Sequence, residues 1–242
     1  MSVFILKDKP IALIKELKAL VVTDLHIGIE NELRKKGINI PSQVEKFFEI
    51  IRKAKEETNA EVLIILGDLK HKVPGSSIRE LENVKLFIKK TSELMEVKIC
   101  KGNHDDLIEK IVEEIDKNVE VYGARGVKIG NYGFFHGHAW PYSYLWEAET
   151  WVVGHLQAFV ELSFGPKRNT EKVFIKGFPR MKRGNLKEII VLPSLNDFAG
   201  GINIVKERPT GLLFEKIVSW EKCEVYLLNG SFLGTLKEVT KQ

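Results

Sequence analysis

The chain has 242 residues, of which 44% are hydrophobic and 29% are charged, a composition typical of an ordinary soluble globular protein. Its net charge of +4 permits an anionic ligand but is too small to indicate nucleic-acid binding by itself. The only two cysteines, Cys100 and Cys223, exclude a disulfide framework and a thiolate metal site, and we expect both to be buried. Charged residues interrupt the apolar residues of the first twenty positions. We therefore expect neither a signal peptide nor a membrane span, and predict a cytoplasmic protein.

Short apolar runs in the first half of the chain predict strands that alternate with helices. Two short strands around a turn at residues 8–10 lead to a third strand, which ends at Asp24. Two further apolar runs, Val62–Leu66 and Val97–Cys100, are typical of buried strands. Because a helix is predicted between successive strands, this half of the chain indicates βαβ-like units.

Three helices are predicted from apolar residues at helical spacing and from capping residues at their N-terminal ends. We expect them to end near residues 58, 94 and 115. The capping residues are Ser42 with Glu45 for the first helix, Ser77 with Glu80 for the second, and either Asp105 or Asp106 for the third.

From about residue 119 the helical period disappears, and short runs rich in β-forming residues take over. The expected strands are 119–122, 127–129, 132–136, 151–153, 173–175, 188–192, 201–205, 212–217 and 225–228. The change predicts an α/β fold in which two packed mixed β-sheets are flanked by helices. No polar linker or repeat divides the chain, so we predict a single domain over residues 1–242. Residues 30–40 could be a short helix or a loop, and residues 162–185 are predicted to be an irregular, basic segment.

Polar side chains that can bind divalent metals follow five of the apolar runs. They are Asp24 and His26, Asp68, Asn103, His136, and His155. Carboxylate, imidazole and amide groups are ligands of hard and borderline cations, and strand ends hold them rigidly. Each residue alone has an ordinary explanation as part of a turn or as a hydrogen-bonded structural residue. Their joint occurrence in this order predicts a metal centre, in which Asp68 could be shared by two ions.

Together these motifs resemble the calcineurin-like metallophosphoesterase superfamily over about residues 21–157. The matching stretches are Asp24-Leu25-His26-Ile27-Gly28, Gly67-Asp68, Gly102-Asn103-His104-Asp105, His136-Gly137-His138 and Gly154-His155. The late segments 192–194 and 198–201, with the His-Gly-His sequence, also resemble the archaeal SbcD-related and bacterial DNA-ligase-associated phosphoesterases. The resemblance implies a four-layer αββα sandwich. It also implies a metal-dependent hydrolase of phosphodiester bonds, with a nucleotide or a nucleic acid as the substrate.

The resemblance also implies a ligand set. One divalent cation would be bound by Asp24, His26 and Asp68, so that Asp68 bridges it to a second cation. The second cation would be bound by Asp68, Asn103, His136 and His155. We expect Mn²⁺, with Mg²⁺, Fe, Ni²⁺ or Zn²⁺ as alternatives. A hydroxide held by the two metals would attack phosphorus directly, His104 would stabilise the transition state or protonate the leaving group, and Asp105 would orient His104.

One position departs from the family pattern. The family usually ends its ligand set with Gly-His-x-His, whereas this chain has Gln157 after Gly154-His155-Leu156. An amide oxygen can complete the first cation's ligand set, but it is a poorer partner than imidazole for softer metals. Gln157 keeps a second function open, a degenerate metal-binding scaffold without turnover. A phosphomonoesterase also stays open, because the same two-metal site serves either kind of phosphate ester.

Four further features have two interpretations each. His71 could line the pocket or lie in an ordinary loop, and His138 is expected to support His136. The basic stretch 167–187 could bind phosphates or be a solvated loop. The aromatic residues that follow His138 could stack a nucleobase or pack a loop against the sheet. They are Trp140, Tyr142, Tyr144 and Trp146.

Overall fold

The first of two sheets is built from the N-terminal half of the chain. The computed structural model describes residues 3–115, 118–164 and 167–240. Six strands lie in chain order across this sheet: β1 Val3–Ile5, β2 Ala12–Ile14, β3 Ala19–Val22, β4 Val62–Leu66, β5 Glu96–Cys100 and β6 Val119–Tyr122. The strands from β3 to β6 are parallel, and β1 and β2 are antiparallel to their neighbours. The carboxyl ends of β3, β4 and β5 therefore meet at one edge.

The second sheet contains eight strands: β7 Val127–Ile129, β8 Tyr132–Phe135, β9 Thr150–Val153, β10 Phe159–Phe164, β11 Lys167–Gly177, β12 Glu188–Val191, β13 Glu224–Leu227 and β14 Phe232–Thr235. Their order is β14-β13-β11-β12-β9-β8-β7, and β10 pairs with β11. The sheet is mixed, because β9 is parallel to both β8 and β12 while the other pairs are antiparallel. The parallel pair β8 and β9 brings two more strand ends to one place.

The α-helices are α1 Ile29–Lys35, α2 Val44–Thr58, α3 Ile78–Ser92, α4 Ile108–Glu113 and α5 Leu236–Val239. The shorter helical turns are 3₁₀ segments at Lys15–Leu17, Ser143–Glu147 and Trp220–Lys222, and a π segment at Leu213–Ile217. Thus the undecided stretch 30–40 is helical in its first part, where α1 lies. Within the described residues, no helix is long and apolar enough to cross a membrane.

Three apolar clusters hold the layers together. The middle cluster joins the sheets, since Val21, Ile64 and Leu66 of the first sheet pack with Phe134 and Val152 of the second. One outer cluster places α2, α3 and α4 on the first sheet, and the other places the short helices and α5 on the second. This arrangement confirms the predicted α/β class with two mixed sheets flanked by helices. Both cysteines are buried, as expected.

Two of the predicted helix caps are wrong. The Ser42 hydroxyl has no hydrogen-bond partner among the described residues, and α2 begins after Gln43 instead. Neither Asp105 nor Asp106 caps α4, which begins after Leu107 in a left-handed conformation. Both carboxylates are used elsewhere, Asp105 by backbone amides and Asp106 by Lys70. Of the predicted caps, only Ser77 caps its helix, because its hydroxyl oxygen accepts a hydrogen bond from Glu80 N.

Two predicted strands of the second half are also wrong. Residues 201–205 form a turn in which the Asn203 side chain accepts a hydrogen bond from Val205 N, and only Asn203 makes a β-bridge, to Phe159. Residues 213–217 form the π segment, because a run of bulky apolar residues fits a buried helical turn as well as a strand. The stretch read as irregular contains the β10–β11 hairpin; its residues 165 and 166 lie outside the described part.

Candidate metal centre

The strand ends of both sheets converge on one site. The loop after β3 is bonded to the loop after β4, because Asp24 N donates to Gly67 O at 3.1 Å and His26 N donates to Asp68 O at 2.8 Å. The ends of β8 and β9 are joined in the same way, by a bond from Gly154 N to His136 O at 2.9 Å. These backbone bonds fix the predicted ligands relative to one another.

The backbone at the site is held in an unusual conformation. Non-glycine residues rarely adopt positive φ angles, and several of them in one site indicate a backbone constrained by its surroundings. Five predicted ligands do so: Asp24 at 53°, His26 at 44°, Asp68 at 51°, His155 at 70° and Gln157 at 50°. Two glycines allow the loops to approach. A Cβ on Gly102 would lie 2.2 Å from Asp68 Oδ1, and one on Gly154 would lie 1.9 Å from Thr23 Oγ1.

Asp68 lies at the centre of the cluster. Its Oδ2 atom is 3.3 Å from His136 Nε2, 3.6 Å from His26 Nε2 and 4.0 Å from His104 Nε2. Two groups of candidate ligands share this carboxylate: His26, Asp68 and His104 form one, and Asp68, His136 and His155 form the other. In each group the ligand atoms lie within 4.8 Å of one another. Asp68 is thus placed where a bridging ligand would lie.

Asp24 and Gln157 lie on the His26 side of Asp68. Asp24 Oδ1 is 3.9 Å from His26 Nε2. The Gln157 amide nitrogen donates to Asp24 Oδ1 at 3.0 Å and lies 2.9 Å from His26 Nε2. Therefore one amide group contacts two of the predicted metal ligands.

His104 and Asn103 follow β5 but have different surroundings. His104 N donates to Asp68 Oδ1 at 3.0 Å, and its Nδ1 atom bonds the carbonyl oxygen of His71. This bond places the Nδ1 proton and leaves Nε2 on the side of Asp68. The Asn103 side chain is exposed, and no hydrogen bond from it to another described residue is present. Within the described residues, the Asn103 side chain is therefore not hydrogen-bonded to any of the predicted ligands.

Two buried carboxylates hold the loops that carry the site. Asp105 accepts hydrogen bonds from Leu69 N at 2.9 Å and Gly102 N at 2.8 Å, which ties the loop after β4 to the loop after β5. Its contacts are with backbone amides, and the His104 ring is held by the His71 carbonyl instead. Glu80 Oε1 accepts from His71 N at 3.1 Å and Lys72 N at 2.9 Å. Glu80 therefore holds the segment that supplies this carbonyl.

Burial shifts the pKa values of the cluster. Burial raises the pKa of Asp24, although the charge of His136 opposes this effect. Burial would also favour protonated Asp68, but the hydrogen bond and charge of His136 hold the Asp68 pKa well below its usual range. Burial opposes protonation of His136, yet Asp68 and Asp24 raise its pKa to about 9. Burial lowers the pKa of His26 and His155 to about 4 each.

These groups fit divalent metal binding. Two buried carboxylates lie close together, and ring nitrogens that could bind a metal contact other nitrogens: His136 Nε2 is 3.1 Å from His155 Nδ1. A cation would neutralise the carboxylates and take up the nitrogen lone pairs. Mixed imidazole and carboxylate ligands suit Mn²⁺, Fe, Ni²⁺ and Zn²⁺. The cluster can therefore hold metal, which is the chemistry that its residues predicted.

The secondary features have different outcomes: of the aromatic residues after His138, Trp146 is buried, whereas Trp140, Tyr142 and Tyr144 are exposed. The His138 ring lies 5.3 Å from the His136 ring, and Trp146 is buried against Trp151. Most of the basic stretch is engaged within the chain: Lys172 with Asp197, Lys176 with Glu188 and Glu224, Arg180 with two carbonyls, Arg183 with Trp146, and Lys187 with Glu149. Most basic side chains of the stretch 167–187, for which phosphate binding and a solvated loop were both open, therefore already have partners within the chain.

Three polar residues to which the sequence analysis gave no role at the site support the loop after β3. The Thr23 hydroxyl donates to Asp24 Oδ2 at 2.7 Å or to Leu66 O at 2.8 Å. Ser194 Oγ donates to Asp24 O at 2.8 Å, and Asn196 Nδ2 donates to Leu25 O at 2.7 Å. The late segment 192–194 carried part of the family resemblance. Through Ser194, this segment holds the backbone of the loop after β3 that carries Asp24.

Comparison with known proteins places the chain in a family. The calcineurin-like phosphoesterase family matches residues 17–183. The nuclease MPE of Pseudomonas putida has a similar fold, with a TM-score of 0.59 and 20% identity over 93% of this chain and 91% of that chain. The phosphoesterase Yfce from E. coli matches with a TM-score of 0.44 and 17% identity over 89% and 96% of the two chains. Because the family match spans more than half of the 242 residues, the protein belongs to the calcineurin-like phosphoesterases, hydrolases of phosphate esters that bind divalent metals.

Proposed function

We propose that the protein is a dinuclear metal-dependent phosphodiesterase that acts on nucleotide or nucleic-acid substrates. The observation that carries the proposal is the position of Asp68, whose carboxylate is shared by two groups of candidate ligands. A carboxylate shared by two ligand groups could bridge two neighbouring cations in a two-metal site. Asp24, His26 and Gln157 would hold one cation with Asp68. Asn103, His136 and His155 would hold the other, with Asn103 turning toward the cluster.

The protein residues would orient the reacting groups. Two bound cations, Mn²⁺ in our proposal, would lower the pKa of a shared water and withdraw charge from the phosphate oxygens. His104 would donate from Nε2, because its Nδ1 atom is bonded to the His71 carbonyl. Such a donor can stabilise the negative charge of the transition state or protonate the leaving oxygen. Asp105 would keep the loops that carry Asp68 and His104 at their observed separation.

Two observations support a diester substrate of the nucleic-acid class. The late segment 192–194, which resembles SbcD-related and ligase-associated phosphoesterases, contacts the site through Ser194. The Pseudomonas putida protein with the same fold is a nuclease. We therefore propose that the subgroup resemblance extends to the substrate class.

Parallel kinetics on two small substrates test this proposal. We expect the protein, loaded with Mn²⁺, to hydrolyse bis(p-nitrophenyl) phosphate with a higher kcat/KM than p-nitrophenyl phosphate. A preference for the monoester would replace the diesterase by a phosphomonoesterase. Inactivity on both, with two ions bound per chain, would overturn the assignment as an enzyme of this kind.

One contact favours a second candidate function. The Gln157 amide nitrogen contacts both Asp24 and His26, and an amide N–H group cannot bind a cation. If this arrangement persists in the presence of metal, the chain would be a metal-binding scaffold without turnover. Counting bound ions by elemental analysis, beside the kinetics, separates the two functions. The enzyme requires two ions per chain, whereas a single weakly held ion without hydrolysis supports the scaffold.

A further inference from the structure

A large cavity opens beside His104, outside the metal cluster. Its volume is about 730 Å³, and its walls come from α1, the segment after β4 and the start of α3. We call it the α1–α3 cavity. His71 and His104 line it together with six charged residues, Glu32, Arg34, Lys35, Lys72, Arg79 and Glu80. The His104 ring lies 5.0 Å from the His26 ring. The cavity and the candidate metal centre therefore share one wall.

The cavity has an excess of uncommitted positive charge. Its four cations are exposed, and none forms an ion pair with another described residue. They are Arg34, Lys35, Lys72 and Arg79. Both carboxylates already have partners. Glu32 is bonded to Lys36 and lies 2.8 Å from His71 Nε2, and Glu80 accepts hydrogen bonds from the backbone amides of residues 71 and 72. The free charge at this surface is thus cationic, which suits an anionic ligand.

The start of α3 adds to this charge. Arg79 is the second residue of α3, where the helix dipole already contributes partial positive charge. A cation at this end does not stabilise the helix, so helix formation does not account for Arg79. Arg34, by contrast, lies in the last turn of α1, where a cation is favourable. Both guanidinium groups border the same cavity and can bind phosphate oxygens in pairs.

The size of the cavity indicates the ligand. A volume in this range accommodates a ligand of about one nucleotide, and the cavity begins at the residue proposed to contact the scissile phosphate. We propose that the α1–α3 cavity binds the nucleotide adjacent to the scissile phosphate of a single-stranded nucleic acid, with the cavity cations on its phosphates. This inference rests on the proposed phosphodiesterase function and narrows its substrate to a strand with several phosphates.

A matched pair of double variants tests the cavity. Arg34→Gln with Arg79→Gln removes two charges from it, and Gln has nearly the same helix propensity as Arg. Lys53→Gln with Lys89→Gln removes the same charge from exposed positions of α2 and α3 that do not line the cavity. Binding of a fluorescein-labelled oligothymidylate is measured by anisotropy in EDTA across a salt series. Hydrolysis of the same strand and of bis(p-nitrophenyl) phosphate is measured with Mn²⁺.

The cavity variant should raise the Kd for the oligonucleotide about tenfold. It should also reduce the slope of log Kd against log salt by about 0.7 for each phosphate that the variant no longer neutralises. The ratio of kcat/KM for the strand to that for the small diester should fall by a similar factor, while the control keeps the wild-type Kd and ratio.

Three results would overturn the inference: equal effects in both double variants, an unchanged salt slope in the cavity variant, or an equal loss of affinity for duplex DNA. If the wild type hydrolyses neither substrate, the proposed function fails. The anisotropy measurements then still show whether the cavity binds the oligonucleotide.

Discussion

The two sides of Asp68 are held by different kinds of partner. On one side, His136 Nδ1 lies 2.6 Å from Leu66 O and its Nε2 lies 3.3 Å from Asp68 Oδ2. On the other side, His26 Nδ1 has no hydrogen-bond partner among the described residues, and His26 Nε2 lies 2.9 Å from the Gln157 amide nitrogen. A second bond to a carbonyl fixes the orientation and tautomer of a ligating imidazole. The His136 ring is therefore preorganised for metal binding, and the His26 ring is not.

Asp68→Asn should have the largest effect because it acts on both sides at once. Asparagine keeps the size of the side chain but removes the shared negative charge. We expect both ions to be lost and kcat/KM to fall on the order of 10⁴-fold or more, measured by elemental analysis and diester hydrolysis. Asp8→Asn is a matched control, since Asp8 also has a positive φ angle, 60°, but lies in an exposed turn. Retention of two ions by Asp68→Asn would disprove the bridge.

His104→Ala should separate chemistry from metal binding. If His104 donates to the phosphoryl group, its loss should lower kcat by about 10² to 10³-fold and leave two ions bound. His104 nevertheless belongs to one candidate ligand group with His26 and Asp68. Loss of one ion in the alanine variant would therefore make His104 a ligand. Elemental analysis of the purified variant, beside single-turnover kinetics, distinguishes these outcomes.

Gln157→His should make the two sides more alike. An imidazole nitrogen offers a lone pair where the amide N–H group now contacts Asp24 and His26, and histidine tolerates the positive φ angle of this position. We expect the weaker of two Mn²⁺ sites to bind about tenfold more tightly, as measured by titration calorimetry. Gln157→Ala serves as the control for removal of the amide alone. If histidine and alanine have the same effect, the amide obstructs the site and the imidazole adds nothing.

The strand ends of the first sheet could be predicted because of how that sheet is buried. Parallel strands covered on both faces are continuous apolar runs, so Val62–Leu66 was recognisable with its bounds intact. Some strands of the second sheet are not continuous apolar runs. Strand β11 contains Arg168, Asn169, Thr170, Glu171 and Lys172 in succession, a polar series that reads as a loop. Pairing with β10 across a hairpin makes it a strand.

The candidate ligands could be named from the sequence, but their support could not. Asp24 and His155 stand out because they follow apolar runs beside family motifs. Ser194 bonds the Asp24 backbone although the two residues are 170 positions apart in the sequence. No local sequence feature of a serine after a strand predicts such a contact. The same limit applies to the Asn103 side chain, because no spacing in the sequence indicates that it is exposed.

Glu80 illustrates how a correct local pattern can conceal a second role. Ser77 and Glu80 have the spacing of a capping box, and Ser77 does cap α3, but the Glu80 carboxylate accepts the amides of His71 and Lys72 instead. The His71 carbonyl in turn bonds His104 Nδ1. Glu80 is thus connected to His104 through the backbone of residues 71 and 72.

Glu80→Ala should lower kcat about tenfold by releasing the His71 segment. It should reduce the free energy of unfolding by about 2 kcal/mol, because the partly buried Lys72 amide loses its acceptor and the His71 amide keeps only Ile27 O. Glu80→Gln should stay close to wild type in both respects, since the bonds to the amides of residues 71 and 72 use one oxygen, Oε1. Val225→Ala, a core change in β13, should cost similar stability without changing kcat. Equal kcat values in Glu80→Ala and Val225→Ala would show that Glu80 supports the fold and does not position His104.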